Sequence, residues 1–237
     1  MAAVEVKNFS KNYGKKEAVK NISFNIEKGE IFGLIGPNGA GKTTTLRVLS
    51  TLLQITSGSV KIMGFDLENE PGKIRRQISY LPEDAGAYKN LTGRQYLDFI
   101  SNFFERKNKK KMIEIGIEIA DLEGRIDSKV DTYSKGMKRR LLVGRALMVD
   151  PKLAILDEPT SGLDVINAQE IRNIIKKSAK NGTTFLISSH NMLEVEYLCD
   201  RIVLIADGEI VEKGKPSDLK QKYNADNIEE VFTGVIK

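Results

Sequence analysis

Residues 30–43 read Glu30-Ile31-Phe32-Gly33-Leu34-Ile35-Gly36-Pro37-Asn38-Gly39-Ala40-Gly41-Lys42-Thr43. The apolar run 30–35 has the length and texture of a buried strand, and Leu46, Leu49 and Leu53 recur at helical spacing over 43–53. The segment between them fits G-x-x-x-x-G-K-[ST] in the context that pattern requires, after a strand and opening a helix. Glycines there accept positive φ, so successive backbone N–H groups converge on phosphate oxygens at the positive end of the helix. Lys42 then reaches the β and γ phosphates of a nucleotide, and Thr43 holds Mg²⁺.

Outward from this unit, Val4 and Val6 alternate with polar residues before Phe9, and a second alternating run covers 19–26 after the turn-like Tyr13-Gly14-Lys15. They predict two antiparallel strands. Further strands are expected at 59–63 and at 78–81, the latter stopped by Pro82. From Thr92 the texture becomes helical. Thr92 and Gln95 fit a capping box, followed by Tyr96, Phe99, Ile100 and Phe103 as an apolar face. A second helix is expected at 109–120 with Ile113, Ile117 and Ala120 inward, and a third at 134–148, stopped by Asp150-Pro151.

The runs 153–156 and 184–187 are uninterrupted and apolar, the texture of parallel strands covered on both faces. A helix over 165–180 lies between them, and Asp207-Gly208 closes a hairpin of 202–206 with 209–211. The fold class is therefore α/β. An N-terminal antiparallel β-subdomain and a core at 1–84 and 150–215 carry a helical insert at 85–149, and a helical tail occupies 216–237.

The 237 residues, 41% hydrophobic and 29% charged, suit one globular unit with a subdomain and exclude disorder for the bulk of the chain. No stretch reaches the roughly 18 apolar residues that span a bilayer. The opening Met-Ala-Ala-Val-Glu-Val-Lys lacks the pattern of a secretory signal, and a single cysteine, Cys199, permits no intrachain disulfide. Both lead to the expectation of a reducing cytosol. The net charge of +5 suits polyanions without choosing among them, and no interleaving of basic and aromatic residues suggests a nucleic-acid surface. The basic run 106–111 reads as a solvated loop and helix start, with anionic headgroups as the other reading. Lys138, Arg139 and Arg140 read as helix surface or as a contribution to the field around a nucleotide.

Strand 153–156 runs into Asp157 and Glu158. Asp157 at the strand end is placed to hold Mg²⁺ through water, whereas Glu158, projecting elsewhere, is placed to polarise an attacking water. His190, the one histidine, follows strand 184–188 at the edge where parallel α/β sheets bind ligands.

These motifs, with Tyr133-Ser134-Lys135-Gly136-Met137 opening a helix, Ser161-Gly162-Leu163-Asp164 after the second motif strand, and Ser189-His190, resemble the ATP-binding subunit of an ABC transporter over nearly the whole chain. The resemblance implies a P-loop NTPase core that hydrolyses ATP with Mg²⁺. It implies that Gly36, Pro37, Asn38, Gly39, Ala40, Gly41, Lys42, Thr43 and Thr44 cradle the nucleotide and that Tyr13 stacks on adenine. Ser134 and Gly136 would contact the γ-phosphate of ATP held by a second copy of the chain, with Asp164 of the D-loop also near nucleotide. Glu158, His190 and Glu83 would be catalytic, and Thr43, Asp157 and Glu83 would serve the metal.

Two positions depart from the family pattern. The signature L-S-G-G-Q appears as Tyr133 to Met137, keeping Ser134 and Gly136, and Glu83 stands where many relatives have glutamine. Both variations resemble the branch that works with a separate multi-span permease, typically for export, at the cytoplasmic face of the membrane. The other reading is a soluble ABC-type ATPase acting on DNA or ribosomes. Chromosome-type relatives carry a long coiled coil and ribosome-acting ones two ATPase units, and the sequence contains neither; no nucleic-acid partner is expected.

Overall fold

The computed structural model describes residues 2–104 and 108–236, so Arg106 and Lys107 of the basic run lie outside the described residues. Strands β1 (Ala2–Tyr13) and β2 (Lys16–Glu27) form a long antiparallel pair that turns at Gly14 and Lys15. They are followed by β3 (Ile31–Ile35), the phosphate loop and α1 (Lys42–Leu49). This helix is a turn shorter than the leucine spacing predicts, because Thr51 takes a left-handed φ of 62° and diverts the chain before Leu53. Next come β4 (Ser57–Ile62), β5 (Phe65–Asp66), α2 (Pro71–Arg75) and β6 (Ile78–Leu81). β5 and α2 are too short to carry a periodic signal.

Three longer helices follow: α3 (Gly93–Ser101), α4 (Lys109–Ala120) and α5 (Lys135–Leu147). The capping box at α3 forms as expected: Gln95 N–H donates to Thr92 Oγ1 at 3.1 Å, and Thr92 N–H donates to Gln95 Oε1 at 2.9 Å. Its apolar face is not the expected one. Tyr96 and Leu97 are buried, while Phe99 and Phe103 are 39% and 69% exposed. The helix ends at Ser101, so Phe103 lies beyond it, and the buried stripe runs through Gly93, Tyr96, Leu97 and Ser101 instead. In α4 the fully buried positions are Met112, Gly116 and Ala120, with Ile113 and Ile117 half-buried at the flank.

The rest of the chain is β7 (Leu153–Asp157), α6 (Val165–Lys180), β8 (Thr184–Ser189), α7 (Met192–Leu198), β9 (Arg201–Ala206), β10 (Glu209–Gly214), α8 (Pro216–Tyr223) and α9 (Ile228–Ile236). The tail finds its place through Ile228, Val231 and Phe232, which are buried in the core beneath the helices. Glu196 of α7 pairs with Lys220 and accepts from Ile228 N–H at 3.3 Å, tying both tail helices to α7.

Two sheets result, a four-stranded one in the order β2-β1-β4-β5 and a six-stranded one in the order β10-β9-β3-β8-β7-β6. In the second, β6, β7, β8, β3 and β9 run parallel and only β10 is antiparallel. Alternate residues of β7 enter different cores, as a strand covered on both faces must. Ala154 and Leu156 join the helices, whereas Leu153 and Ile155 join α1 and the four-stranded sheet. Register then fixes the functional edge. Ile35 pairs with Ser189, Asp157 with Ser188 and Leu81 with Leu156, so the chain leaves four parallel strands side by side at Gly36, Glu158, His190 and Pro82.

Candidate active site

The phosphate loop leaves β3 under tight steric control. A Cβ on Gly36 would lie 2.1 Å from the Ile205 carbonyl oxygen of β9. Gly41, the N-cap of α1, has φ 103° and would meet the Ala18 carbonyl oxygen at 2.6 Å. Both positions therefore exclude any side chain, which lets the loop turn its N–H groups inward. Lys42, 6% exposed, curls back over the loop and donates to the Gly36 and Pro37 carbonyls at 2.7 and 3.2 Å.

A cleft of about 330 Å³ opens over this loop, lined by Tyr13, Lys16, Ala18, Pro37, Asn38, Gly39, Gly41, Lys42, Thr43, Thr44, Glu83 and Glu158. Ten of the residues expected from sequence thus meet in one place. Larger grooves, of about 630 Å³ between β2 and β10 and of about 530 to 570 Å³ along α4, hold none of the expected site residues, so volume alone does not identify the site. Tyr13 is 46% exposed at the end of β1, with Lys11 Nζ 5.4 Å from its ring centroid.

The two carboxylates after β7 diverge. Asp157, 1% exposed, continues the strand and accepts from Ser188 Oγ. Glu158 has φ 48°, a left-handed conformation rare for glutamate, which sends its side chain the other way. Its Oε1 lies 3.6 Å from Lys42 Nζ and its Oε2 2.9 Å from His190 Nδ1. Glu158 N–H donates to Ser188 Oγ at 3.0 Å, so one serine on β8 orders both acids. Ser188 has no motif of its own and only register identifies it. Glu83 enters from the end of β6, where its Oε1 accepts from Ser161 Oγ at 3.4 Å.

Mg²⁺ needs only one or two carboxylates when phosphate oxygens and water complete its shell. The chain offers that donor set. Asp157 is a buried carboxylate at the strand end, Thr43 brings a hydroxyl to the cleft, and the described residues contain no denser cluster of metal ligands.

Ser134, Gly136 and Asp164 do not line the cleft. Ser134 is the N-cap of α5 and accepts from Met137 N–H at 3.2 Å. Asp164 caps α6, accepting from Asn167 N–H at 2.9 Å, and this hydrogen bond holds its carboxyl below the usual range. Asn167 Nδ2 donates to Asp164 at 2.6 Å, and a Cβ on Gly136 would sit 1.9 Å from Asn167 Oδ1. Within one chain, then, the signature faces the D-loop rather than the phosphate loop.

Arg139 is the main departure from the sequence reading. It is neither helix surface nor a free cation facing nucleotide: it is 8% exposed, and burial pulls its pKa below the usual value while Glu83, Asp157 and Glu158 act against that. Helix phase carried the signal, since Gly136, Arg139, Val143 and Ala146 share the buried stripe of α5. Arg140 does stay near the surface, pairing with Glu170 at 3.2 Å.

Comparison with known proteins places the chain in a family. A family profile described as ABC transporter matches residues 19–161, more than half of the chain. The linearmycin resistance ATP-binding protein LnrL of Bacillus subtilis (strain 168) is 40% identical over 228 residues, covering 95% of this chain and 73% of that protein. Among solved structures, an ATP-binding subunit of an ABC transporter superposes with TM-score 0.85 at 28% identity, covering 99% of this chain and all of that one. A dimeric ATP-binding cassette in a post-hydrolysis state bound to ADP and Pi matches with TM-score 0.77 at 27% identity, covering 90% of this chain and 98% of that one.

Proposed function

We propose, from the premise that this chain belongs to the ABC transporter family and is an ATPase, that it is the subunit whose ATP-driven dimerisation powers a separate membrane permease, and that the direction is export. The observation that carries the enzymatic part is the Glu158 carboxylate, 3.6 Å from Lys42 Nζ and 2.9 Å from His190 Nδ1 at the mouth of the phosphate-loop cleft. One acid is thereby aimed at the place where a γ-phosphate and its attacking water meet.

The roles follow from position. Lys42 leaves its loop carbonyls for the β and γ phosphates, and the loop N–H groups take the remaining oxygens. Tyr13 offers its exposed face to the adenine ring. Glu158 orients water and accepts its proton, with His190 fixing the carboxylate. Asp157 and Thr43 hold Mg²⁺, which supplies charge neutralisation between the phosphates when bound. Glu83 adjusts that shell from the segment that follows β6.

A second copy is needed because Ser134 and Gly136 lie outside the cleft of their own chain. Val165 and Ile166, 81% and 74% exposed at the start of α6 beside the D-loop, offer apolar surface for that copy. The membrane partner is supported by a different surface. Tyr88, Phe99 and Phe103 form an exposed aromatic ladder with ring centroids 5.3 Å apart at each step, its first member five positions after Glu83. Among the described residues no helix is long and apolar enough to cross a membrane, so this chain would act at the membrane periphery. Export is favoured because one relative is named a resistance protein and another a probable multidrug transporter, and moving a compound out is one route to resistance.

The test is to purify the tagged full chain carrying Glu158→Gln from its native cells in the presence of MgATP. A polytopic membrane protein should copurify and release on ATP removal. Recovery of ribosomes or DNA instead would favour the soluble reading.

A further inference from the structure

Arg139 carries a full charge into the interior without a carboxylate in contact. Its Nε donates to the Pro159 carbonyl at 2.7 Å, one terminal nitrogen to the carbonyls of Pro82 and Glu83 at 3.5 and 3.2 Å, and the other to those of Asp157 and Glu158 at 2.9 and 2.7 Å. All five N–H groups of the guanidinium are matched to five backbone carbonyls. A buried cation is costly unless every donor is satisfied, so an arrangement this complete fixes the groups that satisfy it.

Those carbonyls belong to two segments, the chain leaving β6 and the chain leaving β7, while Arg139 itself belongs to the helix opened by Ser134 and Gly136. Glu158 is held at both of its backbone ends. Its N–H is taken by Ser188, and its carbonyl accepts from Arg139 at 2.7 Å and from Ser161 N–H at 3.2 Å, the guanidinium making the shorter, charged contact. Its left-handed φ of 48° is unfavourable for a side chain with a Cβ, and these backbone contacts offset that cost. Without the guanidinium the carbonyl would keep only the Ser161 bond, loosening the hold that keeps the carboxylate against Lys42 and His190.

We propose that Arg139 is a positioning residue for ATP hydrolysis: its guanidinium holds Glu158 in the reactive conformation and joins the signature helix, the Pro82-Glu83 segment and the Asp157-Glu158 strand end into one mechanical unit. A displacement of the signature helix is thereby transmitted to the water-orienting carboxylate. The inference rests on the reading of Glu158 as that group.

Arg139→Lys in the full chain is the decisive variant, since lysine keeps the charge but gathers its donors at one point and cannot span five carbonyls. Its kcat should fall by about 10- to 100-fold with KM for ATP held within about 2-fold, the pattern of a misplaced catalytic group. A wild-type rate in Arg139→Lys would show that charge suffices and overturn the proposal, as would a loss of kcat matched by a comparable rise in KM. On the Glu158→Gln background, single-turnover hydrolysis should lose nothing more when Arg139→Lys is added, and a further independent loss also overturns it. Glu158→Gln alone separates the two ideas. Wild-type turnover in that variant removes the Glu158 reading itself, whereas an inactive Glu158→Gln beside an active Arg139→Lys removes only the role of Arg139. Should Arg139→Lys not fold, hydrogen exchange on the wild-type chain decides: segments 82–84 and 157–160 should open with the same denaturant dependence. Different dependences would mean that the two segments are not joined.

Discussion

Glu158 Oε2 and His190 Nδ1 stand 2.9 Å apart although 32 positions separate them in the chain. The contact exists because β7 and β8 are parallel neighbours in which Asp157, the last residue of β7, lies in register with Ser188, the last but one of β8. A proton on Nδ1 serves the carboxylate at that distance and leaves Nε2 for a second partner. The histidine thus sits against the acid at the carboxyl edge of the sheet.

Glu158→Gln keeps the shape of the side chain and removes its basicity. Turnover should fall by about 10² or more while ATP still binds, and an ATP-stabilised dimer should accumulate. Phosphate release and size-exclusion chromatography measure the two effects. Near-normal hydrolysis would sink the assignment.

Ser134 and Lys42 should complement each other between chains. A Lys42→Ala subunit mixed with a Ser134→Arg subunit forms one intact composite site and one doubly spoiled site when two copies pair head to tail. Occlusion of ATP at a single site should reappear in the mixture only. If mixture and parents occlude ATP alike, the trans geometry is wrong.

Tyr13 contributes to the cleft wall with its ring partly exposed. Stacking tolerates any purine, so Tyr13→Ala should weaken ATP binding by about 1 to 2 kcal/mol, Tyr13→Phe should change it little, and selectivity between ATP and GTP should be low. Titration with a fluorescent ATP analogue reads this out. Equal affinity in Tyr13→Ala would leave the residue without a nucleotide role.

Glu83 meets Ser161 through a 3.4 Å hydrogen bond and carries a negative charge into a phosphate site. Such a charge is compatible with a γ-phosphate only when metal or water lies between them. Glu83→Gln should therefore shift the Mg²⁺ concentration that gives half-maximal hydrolysis. Superimposable Mg²⁺ curves for the wild-type chain, Glu83→Gln and Glu83→Ala would refute the link to the metal.

Glu212 ties β10 to α8. Burial acts to raise its carboxyl, but hydrogen bonds from Lys222 and Tyr223 outweigh this and hold it below the usual carboxylate range. A carboxyl lowered in the folded state stabilises above its unfolded pKa of about 4.3 and loses that contribution as pH falls. Docking of α8 should loosen below about pH 4, and Glu212→Gln should lack this acid step. Hydrogen exchange over 216–223 as a function of pH is the measurement, and identical profiles for the two proteins would exclude the mechanism.

The sequence by itself determined whatever depends on spacing along the chain. Strand, glycine loop and helix at 31–49, the capping box at Thr92, the helices at 109–120 and 165–180, and the acids closing β7 are all local, because a hydrogen-bonded turn or a two-residue alternation is complete within a few residues. The tertiary structure decided which distant segments share an edge and which side chains they cover. Strand order brings Ser188 under both acids and His190 against Glu158, and packing chooses Leu97 over Phe99 for the interior. The same holds for Arg139: helix phase puts it on the buried stripe of α5, but only the tertiary structure supplies the partners that make the burial of a charge stable. A guanidinium is stable inside only once carbonyls from β6 and β7 have arrived to accept its protons, and those carbonyls lie 18 to 57 residues away in the chain.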